Sequence, residues 1–273
     1  MYILCMKNEI LRIMKANGMA FNKSLGQNFL IDEEVLERIV DGVLPTDNIL
    51  EIGAGLGILT NRLLKITPNV IAVEFDKKLA KYLEKNTKAK IIQEDILKCD
   101  LVKITTENKI NKIIANLPYY ITSPIIMRIL EELEGIKSAR LMVQYEVAKR
   151  IVAAESSKDY GILSIACQYY AECELLFKVP YSSFLPVPKV DSAVVELKIR
   201  QTPLISSNKD DFFKLIKAAF AQRRKTFANS VSNTLNIDKS ILENALQKIN
   251  RTGNARAEQL SISEFDELTN LVL

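Results

Sequence analysis

Five short apolar runs, interleaved with stretches of helical spacing, restrict this chain to very few folds. The runs are NILEIG (48–53), NVIAVEF (69–75), AKIIQED (89–95), KIIANL (112–117) and ARLMVQ (139–144). Their apolar residues are consecutive rather than alternating, which predicts strands buried on both faces. Between them, GILTNRLLKI, DKKLAKYLEKN and PIIMRILEEL place apolar residues three and four apart, as an amphipathic helix requires. Alternation of this kind predicts a doubly wound, mostly parallel sheet with right-handed crossovers, an α/β fold of the Rossmann-like type. ECELLFKVP and VDSAVVELKIR read as two further strands, added antiparallel at the sheet end to give seven. At 273 residues the chain accommodates this large domain and one small one.

The pattern changes after residue 200. QTPLISSNKDD (201–211) has the proline, serine and asparagine content of a linker. DFFKLIKAAFAQRRKTFANSV, KSILENALQKI and SISEFDELTNLVL follow as three helical patterns with no strand signal. In the last of these, Ser261 and Glu264 have the spacing of a capping box. The expected division is therefore a sheet domain over 1–202 and an all-helical domain over 203–273.

LEIGAGLGILT sets Gly53, Gly55 and Gly57 directly after the first strand, at the edge where open sheets bind ligands. Glu74 ends the next strand, where a carboxylate can accept from ribose hydroxyls. Asp95 ends the one after that and can accept from an adenine amino group. The glycine spacing is G-x-G-x-G rather than the G-x-G-x-x-G of a pyrophosphate site. Two acidic strand ends suit a cationic nucleoside such as S-adenosylmethionine. Binding of NAD and a purely structural turn are the competing readings.

The fourth strand runs into NLPY (116–119). Proline fixes its own φ and biases Leu117 towards an extended conformation, which can turn the Leu117 carbonyl and the Asn116 side-chain oxygen towards one point. Two convergent acceptors suit an exocyclic amine. Tyr119 can then stack on the base that carries it. Transfer from a sulfonium needs positioning more than it needs a strong base. That matters because the chain contains no histidine, which removes histidine general bases, Ser-His triads and most transition-metal sites. No metal is expected in the chemistry. A structural turn is the alternative for NLPY, since Asn-x-Pro often marks one.

The four cysteines, at 5, 99, 167 and 173, lack C-x-x-C spacing and read as reduced, mostly buried thiols. No apolar segment approaches a membrane span, and MYILCM is too short for a signal sequence, so a cytoplasmic location is expected. The net charge is +4, with +3 in residues 1–30, −2 in 31–199 and +3 in 200–273. Basic ends suit a polyanionic partner. AQRRKTF (221–227) sets Arg223, Arg224 and Lys225 between Phe220 and Phe227. The aromatics are expected to anchor a helix, and the cations to meet RNA phosphates.

SLGQNFLID (24–32), EIGAGLGILT, AVEFD, QEDIL, ANLPYYITSPII, MVQYEVAKRI, SSFLPVPKVDSAVVELK and AAFAQRRKTFANSV occur in the order found in the small-subunit rRNA adenine dimethyltransferases. The chain resembles that family from about Ser24 to beyond Ser230, and ARAEQLSISEFDEL resembles its last helix. The resemblance implies a class I methyltransferase that uses S-adenosylmethionine. It further implies conversion of two adjacent adenosines near the 3′ end of small-subunit rRNA, within an immature small subunit, to N6,N6-dimethyladenosine. Asn28 and Leu30 would line the methionine part of the cofactor, with Gln27 adjacent. Gly53 and Gly55 would cradle its carboxylate end, Glu74 its ribose and Asp95 its adenine. Asn116, Leu117 and Tyr119 would hold the target base, with Phe184 on its other face, and Asn116 would also contact the cofactor. A monomer is the default, and residues 1–23 receive no role beyond their charge. Two other readings are a large-subunit rRNA methyltransferase of the macrolide-resistance type and a non-catalytic assembly factor on the same fold.

Overall fold

The computed structural model describes residues 2–22, 26–202, 204–222 and 224–273. Its strands are β1 (Phe29–Leu30), β2 (Ile49–Ile52), β3 (Val70–Glu74), β4 (Lys90–Gln93), β5 (Lys112–Asn116), β6 (Ser138–Gln144), β7 (Ala171–Val179), β8 (Phe184–Leu185) and β9 (Ser192–Ile199). Its helices are α1 (Tyr2–Ala16), α2 (Glu33–Val40), α3 (Ile58–Leu63), α4 (Lys77–Asn86), α5 (Leu101–Glu107), α6 (Thr122–Glu132), α7 (Tyr145–Ile151), α8 (Ile162–Tyr170), α9 (Lys209–Phe220), α10 (Phe227–Leu235), α11 (Lys239–Lys248) and α12 (Ile262–Val272). The chain separates into two compact units. One comprises Met1–Ala148 with Glu172–Ile199, the other Lys149–Ala171 with Arg200–Leu273.

In the first unit seven strands are ordered β4-β3-β2-β5-β6-β9-β7. β2 to β6 are mutually parallel, and β9 runs antiparallel to β6 from Ser138↔Lys198 to Gln144↔Ser192. Every residue of β2 and β3 is buried, which is why ILEI and VIAVE are nearly continuous in apolar residues. β4, at the edge, is half open to solvent, and KIIQ is accordingly polar at both ends. Helices start where the sequence supplies caps. Asp76 Oδ1 accepts from the Lys78 and Leu79 amides at α4, at 2.8 and 3.2 Å. From β2 the chain progresses to β3 and β4 on one side and to β5 and β6 on the other. The strand order thus reverses beside β2, and a crevice opens beyond the carboxyl ends of β2 and β5. A two-stranded antiparallel ladder pairs Phe29 with Leu185 and Leu30 with Phe184. Within segment 2–22, which the sequence left without a structural part, Tyr2–Ala16 forms α1. Its Ile10 and Met14 are buried against Phe29, Leu56 and Leu79.

The second unit is helical. Phe212, Phe227, Leu242, Leu246, Leu260 and Phe265 are fully buried in its core. The spacing predicts one helix through AQRRKTF, but α9 ends at Phe220 and α10 begins at Phe227; of the residues between them, Ala221, Gln222, Arg224 and Lys225 lie outside both helices, and Arg223 lies outside the described residues. The chain reverses there because Thr226 starts a new helix, its hydroxyl accepting from the Asn229 amide at 3.3 Å. Ser230 Oγ also ties the two helices together, donating to the Ala218 carbonyl at 2.7 Å. The three expected helical patterns thus become four helices. Residues 149–171 also pack here rather than with the sheet domain: Ile165 is buried in this core, and Tyr160 donates to the Leu260 carbonyl at 3.1 Å.

The expected capping box is present. Ser261 Oγ accepts from the Glu264 amide at 3.2 Å, and Glu264 Oε2 accepts from the Ser261 amide at 2.8 Å. Ser261→Ala should destabilise this unit by about 1 kcal/mol, read as a lower midpoint in urea with an unchanged slope. All four cysteines are free thiols, and Cys5 on α1 is exposed. No helix among the described residues is long and apolar enough to cross a membrane.

Candidate active site

The crevice beyond β2 and β5 is a cleft, and ten of the expected site residues line it: Gln27, Asn28, Leu30, Gly53, Gly55, Glu74, Asp95, Asn116, Leu117 and Tyr119. They come from five separate stretches of sequence, each delivered by a strand end or a loop beside β1.

Glu74 ends β3 and is buried. Its Oε2 accepts from the Gly55 amide and its Oε1 from the Asp76 amide, both at 2.8 Å. Burial raises the pKa of this carboxyl, and the two amides pull it back down. The bond to Gly55 holds the glycine turn against the strand ends. Gly55 itself has φ +60°, and a Cβ there would lie 2.8 Å from Phe29 Cε1. Only glycine lets this backbone pass the ring on β1.

Asp95 follows β4, and its Oδ1 accepts from the Leu97 amide at 3.0 Å, turning the chain back towards the cleft. Asn28 Nδ2 donates to the Gly26 carbonyl at 3.0 Å, and Gln27 Oε1 accepts from the Asn22 amide at 2.9 Å. These bonds brace the loop that precedes β1.

At the end of β5, Asn116 Nδ2 donates to the Asn28 carbonyl at 3.0 Å. A carbonyl accepts only from the nitrogen end of an amide, so this contact fixes which way the side chain faces. Its Oδ1 is thereby oriented as an acceptor. The Leu117 amide donates to the Met142 carbonyl at 3.0 Å, which holds the Asn116–Leu117 peptide against β6. Pro118 (φ −60°) leads into a short 3-10 helix at Tyr119–Ile121, locked by Thr122 Oγ1 donating to the Pro118 carbonyl at 3.1 Å. The Tyr119 hydroxyl shares a 2.6 Å hydrogen bond with Ser192 Oγ at the start of β9, and burial raises its pKa.

The lining holds four carboxylates, Glu51, Glu74, Glu94 and Asp95, and, among the described residues, no lysine or arginine. A pyrophosphate placed here would face only like charge, whereas a cationic nucleoside is attracted. The residues therefore fit S-adenosylmethionine and disfavour a dinucleotide.

A family model described as "Ribosomal RNA adenine dimethylase" matches residues 18–272. The chain belongs to this family. It is 46% identical to the ribosomal RNA small subunit methyltransferase A of Bacillus pumilus over 274 residues, covering 95% of this chain and 94% of that protein. The protein of the same name from Alkaliphilus oremlandii is 47% identical over 261 residues, covering 92% and 91%. Among solved structures, a dimethyladenosine transferase from Plasmodium falciparum superposes with a TM-score of 0.75 at 26% identity, over 88% of this chain and 95% of that one. The 23S rRNA methyltransferase ErmE gives 0.67 at 26% identity, over 90% and 99%.

Phe184 is not brought to this cleft. It pairs with Leu30 across the β1–β8 ladder, is 1% exposed and packs among Leu36, Ile39, Val179 and Val194. Stacking on a base from there would require it to leave the core. Arg224 and Lys225 are exposed in the second unit, and Arg223 lies outside the described residues. Sequence reasoning missed Glu51, Phe75 and Tyr120, which also line the cleft. Glu51 did carry a signal, being an ionisable residue inside a run otherwise read as buried strand. Ser192, which holds Tyr119, carried none.

Proposed function

We propose that this chain transfers methyl groups from S-adenosylmethionine to N6 of two adjacent adenosines near the 3′ end of small-subunit rRNA, acting as a monomer on an immature small subunit. The observation that carries this reading is the bond from Asn116 Nδ2 to the Asn28 carbonyl. It commits Asn116 Oδ1 to accepting, in a cleft that Leu117 also lines and that suits a cationic nucleoside. When bound, S-adenosylmethionine supplies a methyl group on a positively charged sulfur that is already a good leaving group. The two oxygens of Asn116 and Leu117 would accept hydrogen bonds from the adenine amine, drawing the nitrogen's lone pair out of the ring, and the proton that the methylated nitrogen sheds would pass to water. Tyr119, held by Ser192, offers an aromatic face to a base that has left its stack and offsets part of the unstacking cost, a few kcal/mol. Glu74 and Asp95 hold the ribose and adenine of the donor. Gln27, Asn28, Leu30, Gly53 and Gly55 form the walls around its methionine part.

Two relatives at 46 and 47% identity are named for the small subunit, and this favours that target over the large-subunit RNA named for ErmE at 26%. Incubation with labelled S-adenosylmethionine, followed by nucleoside mass analysis, tests the reading. Label should enter unmodified small subunits as N6,N6-dimethyladenosine and should not enter large-subunit RNA. Label in large-subunit RNA alone would reverse the assignment.

The exposed turn carrying Arg224 and Lys225, with Arg223 beside it in sequence, is read as a phosphate contact. Arg224→Glu with Lys225→Glu should weaken RNA binding at least tenfold and lower the slope of log affinity against log salt by about 1 to 2. Unchanged affinity and slope would remove this surface from the interface.

A further inference from the structure

Two carboxylates are buried side by side in the cleft, and they are not equivalent. Glu74 has both oxygens engaged by backbone amides. Glu51, on the neighbouring strand β2, is 2% exposed, lines the same cleft, and its Oε2 has no hydrogen-bond partner among the described residues. One acid is a brace for the glycine turn; the other is an acceptor kept in reserve. A buried carboxyl oxygen without a partner is costly unless something uses it.

The groups around Glu51 decide what it can meet. Glu74 faces it from β3. Glu94 and Asp95, after β4, and Tyr119 and Tyr120, in the turn after β5, line the same cleft. Helix α3 contributes the buried Thr60. It also carries Arg62, but that guanidinium is paired with Glu33 and Glu37 of α2. None of these supplies a free positive charge.

Taking S-adenosylmethionine as the cofactor, we propose that Glu51 gives up a proton as the cofactor enters and meets its positive charge as a carboxylate. Burial pushes the Glu51 carboxyl up to about 8; the Thr60 hydroxyl pulls the other way and the Glu74 charge adds to the rise, so the free protein holds the group largely protonated at neutral pH. An adjacent cation favours the ionised form, so binding and proton release are linked. The sign follows. Below pH 8 the proton must be expelled before the cation is matched, so affinity falls as pH falls. Above pH 8 the site is already ionised, and affinity is flat.

Titration calorimetry in phosphate and in Tris, whose ionisation heats differ, reads the proton directly. Binding of S-adenosylmethionine at pH 7 should release about 0.9 proton. Affinity should rise by up to about tenfold per pH unit from pH 6 to 8 and then level off. Glu51→Gln should abolish both the release and the slope, and Glu131→Gln, altering an exposed carboxylate on α6 away from the cleft, should keep them. Release with both S-adenosylmethionine and S-adenosylhomocysteine places the ammonium beside Glu51. Release with S-adenosylmethionine alone places the sulfonium there. Either supports the proposal. Binding heats that agree between buffers in the unaltered protein, or release that persists in Glu51→Gln, overturn it while leaving the cofactor assignment intact. Failure of S-adenosylmethionine to bind at all overturns that assignment and this proposal with it.

Discussion

Asn116→Ala is expected to lower the rate of methyl transfer by about 10²- to 10³-fold, the loss seen when one preorganised polar group is removed from a reacting centre. Cofactor affinity should change far less. The substitution also deletes the bond to the Asn28 carbonyl, which steadies the loop carrying Gln27 and Asn28. One neutral hydrogen bond contributes about 0.5–1.5 kcal/mol, so the dissociation constant should rise by no more than about tenfold. Single-turnover transfer to small subunits, read beside calorimetric cofactor binding, separates the two effects. Asn116→Asp sharpens the test. It keeps an acceptor at the cleft but replaces the donor that faces Asn28, setting two oxygens against each other. It should therefore lose transfer and weaken cofactor binding more than alanine does. An Asn116→Ala protein with transfer within tenfold of the original would end the proposed mechanism.

Glu74→Ala should have its largest effect on cofactor binding. Two amides, those of Gly55 and Asp76, lose a charged partner at 2.8 Å. Hydrogen bonds to charged groups are worth about 1.5–3 kcal/mol, so loss of the glycine-turn anchor should raise the S-adenosylmethionine dissociation constant about 10- to 10²-fold. Thermal stability should fall less than that figure implies, because removing a buried carboxylate also relieves its desolvation. Gly55→Ala offers an independent approach to the same wall: the added methyl meets Phe29 in a backbone with φ +60°, and binding should again weaken. Unchanged affinity in Glu74→Ala, measured by calorimetry, would dissociate Glu74 from the cofactor.

Much of the cleft was legible before any coordinates because its parts are local. The glycine turn, the acidic strand ends and NLPY each occupy a few consecutive residues, and each lies where an apolar run stops. A parallel sheet gathers the ends of its strands on one edge, so residues named separately as strand ends converge in space. Glu51 was legible too, as an acid inside ILEI, yet strand periodicity treats that position as one more buried residue.

What stayed hidden depends on partners far apart in sequence. Phe184 has the local setting of a presented aromatic, before two prolines. The β1–β8 ladder instead brings it against Leu30, 154 positions earlier, and burial of its ring in that core outweighs exposure. The arginine turn has helical spacing, but a Thr226 cap and the Ser230–Ala218 bond reverse the chain there. Residues 149–171 follow the sheet in sequence yet bury Tyr160 and Ile165 among the C-terminal helices.

By itself, then, the sequence determined the strand–helix alternation, the seven-stranded sheet and which residues gather on its edge, because periodicity and turn residues act over a few positions. Tertiary structure alone decided which aromatic is buried in the core, which helices share a core, and which of two neighbouring carboxyl groups has an oxygen without a partner. Those outcomes rest on burial and on hydrogen bonds between distant segments, which no local pattern records.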